Sequence, residues 1–188
     1  FFAVGAPLQG RILCSHDHDA PLEWRAPSGR VSWGMPFTFR TALPSECGDA
    51  DSVLRAAFTP YLARLGREIP ADYYKWLPAS IERGDVFVAD EDGQVVGVAA
   101  TERRAAELFL DRLAVDPSKQ GSGLGRWLLQ RLDEVARERG DRTVSLITAE
   151  MMDHLVRLYG SHGFEVVHRG LPDHGKDAHM RVRMVKRL

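Results

Sequence analysis

The chain has 188 residues, of which 44% are hydrophobic and 27% charged, with 25 basic side chains against 26 acidic ones. That is the size and make-up of one globular domain able to bury a core without disulfide or metal support. A net charge of −1 speaks against a general nucleic-acid binder, which needs a strongly basic surface, although residues 157–188 are locally basic.

Two cysteines, Cys14 and Cys47, match no CxxC or zinc spacing. No apolar run approaches the ~20 residues of a membrane span. The expected setting is cytoplasmic, with neither a membrane nor a metal as partner. Residues 1–35 differ from the rest: Gly and Pro recur, the cluster Ser15 to Asp19 is polar, and no apolar periodicity appears. They read as an N-terminal extension, an arm or a leader. His16 and His18 fit a solvated turn, and Trp24 and Trp33 argue for some packing. The domain proper is expected over 36–188.

Phe37 to Thr41 reads as a strand. Ala50, Val53, Leu54, Ala57 and Phe58 fall on one helical face, with Pro60 as the expected stop. Residues 60–83 read as short helices broken near Pro70 and Pro78. Asp85–Asp90 and Val95–Thr101 form a hairpin around Asp92-Gly93, a dipeptide that favours a tight turn. Glu107–Val115 is a long strand. Leu124, Trp127, Leu128, Leu132, Val135 and Ala136 line the inner face of a helix that Gly140 ends. Thr143–Thr148 is a strand, Asp153–His162 a helix, and Phe164–His168 and Ala178–Val185 are closing strands, the last with the alternation of a half-buried edge. Strands and helices mix without strict alternation, so the expectation is a mixed-sheet α/β or α+β domain.

The densest chemical signal is Gln120-Gly121-Ser122-Gly123-Leu124-Gly125-Arg126, between a strand and an amphipathic helix. Alternating glycines let the backbone approach a ligand, and N–H groups converge at the positive end of a helix, where Arg126 adds a full charge. This is a site for phosphate or pyrophosphate. A P-loop is excluded because no Lys-Ser or Lys-Thr follows the glycines. A Rossmann fingerprint is disfavoured by the GxGxG spacing and by the 38 residues left after Glu150.

The loop Gln-x-x-Gly-x-Gly, together with Leu158-Tyr159-Gly160-Ser161-His162-Gly163-Phe164 downstream, resembles the GCN5-related N-acetyltransferase (GNAT) family. The order of elements over about 150 residues agrees, and residues 1–35 have no counterpart. The resemblance implies a mixed, mostly antiparallel sheet of six or seven strands with about four helices, splayed where acetyl-CoA binds. It implies transfer of an acetyl group from acetyl-CoA, the cosubstrate, to a primary amine of a small molecule or peptide. Leu113, Ala114 and Val115 would meet the pantetheine arm and the acetyl carbonyl, beside a bulge. Gln120, Gly121, Ser122, Gly123, Leu124, Gly125 and Arg126 would hold the pyrophosphate. Tyr159 would protonate the departing thiolate. Asp111 and Glu107 are candidate bases, with ordered water as the alternative and a surface role for Glu107.

One departure stands out. Where members often carry an Asn, this chain has Ala149, Met152 and Leu155, with Glu150, Asp153 and His154 nearby. That motivates the alternative of a non-catalytic acyl-CoA-binding sensor. The resemblance places the acceptor between the first helices, where Tyr61, Tyr73, Tyr74 and Trp76 cluster, and the connection 171–178, which includes His174. A homodimer through the final strands or the 1–35 arm is the expected assembly.

Overall fold

A computed structural model describes residues 36–173 and 175–188. The readings made for residues 1–35, and for His174, lie outside the described residues. The chain enters through β1 (Thr38–Thr41), then α1 (Cys47–Arg64) and α2 (Leu77–Glu82). A meander of β2 (Val86–Glu91), β3 (Gln94–Arg104) and β4 (Glu107–Val115) follows. Then come α3 (Leu124–Glu138), β5 (Thr143–Ala149), α4 (Asp153–Ser161), β6 (Glu165–Gly170) and β7 (Arg181–Arg187). The seven strands form one sheet in the order β1-β2-β3-β4-β5-β7-β6. The β4–β5 pair is parallel and the other five are antiparallel.

The hairpin forms where Asp-Gly predicts it. Asp92 and Gly93 both take positive φ, 52° and 86°, and the Asp90 carboxylate accepts from the Gly93 N–H at 3.0 Å. Pro60, by contrast, does not stop the first helix, which runs on to Arg64. The proline sacrifices one helical N–H, but Tyr61 and Leu62 beyond it are buried. Burial of that further turn outweighs the local cost. Pro78 likewise opens α2 rather than breaking a helix, because its missing N–H has no partner in a first turn. The closing strand is not an edge either. β7 lies between β5 and β6, so its alternation reflects sheet faces, and β6 is the edge.

Two features of β4 shape the molecule. Opposite β3 the register steps from Ala100↔Arg112 to Thr101↔Leu110, which leaves Asp111 as an extra, bulged residue. Beside β5 the pairing covers only Glu107↔Thr143 to Leu110↔Leu146. Past the bulge the two strands therefore separate, and a V-shaped split opens at the C-terminal end of β4.

The helices take opposite faces of this sheet. A Cβ on Gly97 would lie 3.0 Å from Leu128 Cδ1 in α3. The next-but-two residue, Ala100, pairs with Arg112, whose guanidinium lies 5.6 Å from the Phe58 ring in α1. Side chains alternate along a strand, so α3 covers one face and α1 the other. Gly97 is thus the point of close approach between α3 and the sheet. Gly97→Val is expected to destabilise the domain by about 1–3 kcal/mol through overpacking against Leu128 and Ala89, read as a lower urea midpoint.

Candidate active site

The glycine loop begins just past β4. Asp116 caps a short turn by accepting from the Ser118 N–H at 2.8 Å. Gly121 and Gly123 adopt φ of 82° and 89°, conformations that other residues take only with strain. Gly123 is the N-cap of α3 and no side chain fills that cap, while the Gly123 carbonyl receives the first helical N–H, from Trp127 at 3.0 Å. The N–H groups of Leu124, Gly125 and Arg126 lack intrahelical acceptors by construction, and among the described residues only Leu124 meets a side chain, Ser122 Oγ at 3.4 Å. Arg126 is exposed and makes no ion pair among the described residues. A cleft of about 360 Å³ is lined by Val115, Lys119, Gln120, Gly121, Gly123, Gly125, Arg126 and Leu158. The loop and α4 therefore face one space.

Leu158 brings Tyr159 with it. α4 ends at Gly163, φ 89°, where the Phe164 N–H returns to the Tyr159 carbonyl at 3.1 Å. That turn folds the Phe164 ring onto the Tyr159 ring, with centroids 5.9 Å apart. Tyr159 is fully buried, and its hydroxyl has no hydrogen-bond partner among the described residues. Burial, with a further contribution from Tyr61, pushes its pKa far up, so it holds its proton throughout the neutral range. An unpaired buried hydroxyl costs about 1–3 kcal/mol, which marks the place for a bound group that completes it.

The walls of the split follow from ladder alternation. The Asp116 N–H donates to the Val96 carbonyl and the Thr101 N–H to the Asp85 carbonyl. Counted from either bond, Ala114 and Arg112 direct their main-chain groups to β3, and Leu113 and Val115 direct theirs across the split. On β5, the Glu150 N–H bonds the Met180 carbonyl beyond β7, so Ile147 and Ala149 face the split. Gln120 Nε2 donates to the Val115 carbonyl at 3.2 Å, and the Ala149 N–H donates to the Tyr61 hydroxyl at 3.2 Å. Each wall has a main-chain group held by a side chain from outside the sheet.

The two candidate carboxylates are far apart in setting. Asp111 sits on the bulge and accepts from Arg112 at 2.6 Å. Glu107 lies about 20 Å along the strand from Leu113. It is bound there by Ser145 Oγ at 2.7 Å and by Arg183 at 2.9 Å. His154 is exposed on α4, and burial together with Arg64 lowers its pKa.

The cradle of Cβ-free backbone, the exposed strand walls and the orphaned Tyr159 hydroxyl fit a phosphate-bearing thioester reached along the split. These features define an open mixed sheet, split between two parallel strands, with an anion-binding loop at one mouth of the split. Residues 82–166 match the model of the acetyltransferase (GNAT) domain, and the fold of the whole described chain is like that of solved acetyltransferases. It is 31% identical over 113 residues to N-acetyltransferase family 8 member 2 of Rattus norvegicus, covering 56% of this chain and 45% of that protein. It thus spans about half the length of the curated relatives it matches. Among solved structures, the PaiA N-acetyltransferase of Thermoplasma acidophilum in complex with coenzyme A superposes with a TM-score of 0.66 at 19% identity, over 82% of this chain and 100% of that one. A putative acetyltransferase of Salmonella typhimurium with its cofactor acetyl-CoA gives 0.62 at 26% identity, over 81% and 94%.

Sequence reasoning placed Tyr61 in the acceptor-side aromatic cluster but missed its bond to Ala149, missed Ile147 and Ala149 as a wall of the split, and missed the pairing of Asp177 with Arg67 and Arg181. The Asp177 carboxylate accepts from Arg181 Nη2 at 2.9 and 2.8 Å, from Arg67 at 3.2 Å and from the His179 N–H at 3.2 Å. Burial pushes this carboxyl up, but Arg181, the His179 N–H and Arg67 together outweigh it and hold it below its ordinary value of 3.8. A carboxyl with a lowered folded pKa stabilises the protein above the unfolded value and loses that contribution as pH falls through the folded one. Stability is therefore expected to drop as the pH goes from about 5 towards 2. Asp177→Asn is expected to cost about 3 kcal/mol at neutral pH and to shallow that acid slope, with Asp133 and Glu46 supplying the remainder in urea titrations at stepped pH.

Proposed function

We propose that the protein is an N-acetyltransferase that moves an acetyl group from acetyl-CoA to a primary amine. The observation that carries this is the buried, unpartnered Tyr159 hydroxyl on the helix that shares a cleft with the glycine loop. Acetyl-CoA supplies an activated acetyl thioester. The N–H groups from Gln120 to Arg126 take its pyrophosphate at the positive end of α3. Leu113 and Val115, turned into the split, accompany the pantetheine arm, and the N–H of Leu113 donates to the carbonyl oxygen as negative charge develops there. Ala114, whose main chain serves β3, contributes its side chain to the floor.

A free aliphatic amine has a pKa near 10, so it must shed a proton before it attacks. Asp111 is the nearer carboxylate and passes that proton to solvent through water, and no proton transfer is assigned to Glu107. The new N–C bond forms as the C–S bond breaks, and the thiolate takes its proton from Tyr159. Residues 36–188 constitute the catalytic domain in this reading, with 1–35 appended. A cytoplasmic setting accords with the free Cys47 thiol, and the exposed edge β6 is the surface offered for a dimer. No helix among the described residues is long and apolar enough to cross a membrane.

Thiol release from acetyl-CoA on a panel of amines and peptide N-termini tests the reading. Binding of acetyl-CoA with no acceptor-dependent release on any of them favours the sensor alternative and overturns it. Tyr159→Phe is expected to leave thermal stability unchanged or raised, since it removes an unsatisfied hydroxyl, while turnover falls by about 10²-fold. Wild-type turnover in a folded variant removes Tyr159 from the mechanism.

A further inference from the structure

The Tyr159 hydroxyl has no hydrogen-bond partner among the described residues, so nothing at its own tip aims it. Its direction is set by what holds its ring and its main chain. The ring meets Phe164 edge-on, with centroids 5.9 Å apart. Phe164 in turn lies nearly parallel to the His162 imidazole, at 6.3 Å and 27°. The main chain is tied at the same place, since the His162 and Phe164 N–H groups both donate to the Tyr159 carbonyl. Whatever fixes His162 therefore fixes the end of α4 that carries Tyr159.

His162 is held by a carboxylate that the acetyl-transfer steps leave unused. Its Nε2 lies 3.2 Å from Asp133 Oδ2, and the Lys186 ammonium of β7 binds the same oxygen. Asp133 and His162 are each 8% exposed and Lys186 16%, so the junction is closed to solvent on most sides. Burial pushes the Asp133 carboxyl up, but the bonds from His162 and Lys186 outweigh it and hold it below its ordinary value. An ionised carboxylate only accepts, so it selects an imidazole with a proton on Nε2. The Lys186 stem backs the same turn: a Cβ on Gly163 would lie 3.5 Å from Lys186 Cε. Buried ion groups add little net stability over apolar packing, so position is the property left for this one to supply. Asp133 lies about 14 Å along α3 from Leu124, where the glycine loop ends. One carboxylate thus refers the helix of the tyrosine to the helix of the loop.

We propose that Asp133 and His162 are positioning residues for acetyl transfer, holding the end of α4 against α3 so that Tyr159 stays directed at the cleft it shares with the glycine loop. This rests on the acetyl-transfer reading above and on the proton that Tyr159 supplies in it. Asp133 anchors the imidazole, His162 backs Phe164, and Phe164 seats the Tyr159 ring. Lys186 balances the carboxylate and keeps it paired if His162 is removed.

The test uses the full chain, acetyl-CoA and the fastest amine of the panel above, and it alters His162 because Asp133 then strands no charge. His162→Ala is expected to lower kcat by about tenfold or more while KM for acetyl-CoA stays within about twofold, because the tyrosine shifts and the glycine loop does not. His162→Gln, whose side-chain N–H reaches where Nε2 does, is expected to restore most of the loss. In a Tyr159→Phe background His162→Ala is expected to add no further loss, since both act through one hydroxyl. Amide hydrogen exchange is expected to quicken over 153–161 in His162→Ala and to stay as in the wild type over 124–138. Undiminished kcat in His162→Ala or in Tyr159→Phe overturns the inference while leaving acetyl transfer standing. So does a loss that His162→Gln fails to restore, one that multiplies with that of Tyr159→Phe, or unchanged exchange over 153–161. Thiol release with no amine removes both.

Discussion

A parallel strand pair that stops pairing halfway is what the rest of this structure depends on. β4 and β5 run side by side for four residue pairs, and then the extra residue at Asp111 turns β4 out of register with its other neighbour and away from β5. Two strands then present N–H and C=O groups to a gap rather than to each other. Main-chain groups so exposed are costly unless something pairs with them. The protein meets part of that need itself, with Gln120 on the Val115 carbonyl and Tyr61 on the Ala149 N–H. The rest is available to a ligand that lies between the strands as a third, amide-bearing strand would.

The surroundings of the gap follow from where its ends point. The C-terminal end of β4 leads into the glycine loop and the N-terminus of α3, so one mouth of the split is rich in N–H donors and positive dipole. The C-terminal end of β5 leads into α4, whose last turn carries Tyr159 inward and seals it with Phe164. The other mouth lies under α1, where Arg67 and Arg181 are clasped by Asp177 and Arg112 by Asp111. The two mouths of the split therefore open on different faces of one sheet, where neither face is continuous. The free energy for holding the buried tyrosine and arginines in place comes from the apolar packing of α1 and α3 on the two faces. Gly97 leaves room for Leu128 of α3 against the sheet.

The parts of the site legible in the sequence are those whose function is encoded by neighbours along the chain. The glycines at 121 and 123 are legible because a positive φ is a local demand. Leu158 to Phe164 is legible for the same reason: Gly163 ends the helix and returns Phe164 onto a ring five residues earlier. Tyr61 was not legible as a wall of the split, since its hydrogen bond spans 88 positions to Ala149. Nor was Asp177, whose bond to Arg67 spans 110. A basic residue at the head of β7 reads in sequence as part of an exposed alternation, and only its buried partner explains why it lies inside. Pro60 misled in the opposite direction, because its local penalty is real but smaller than the burial of the turn that follows it.

The sequence by itself determined most of the elements, the mixed sheet, the glycine loop at the head of α3 and the helix-ending turn that packs Phe164 on Tyr159, since each rests on propensity, periodicity or a turn requirement within a dozen residues. The tertiary structure decided which strands part, which main-chain groups are left facing the gap, and which distant charges converge under α1. Strand register and the pairing of buried charges are set by minimising unsatisfied polar groups over the whole chain at once. No stretch of sequence contains that balance until its partners are brought together.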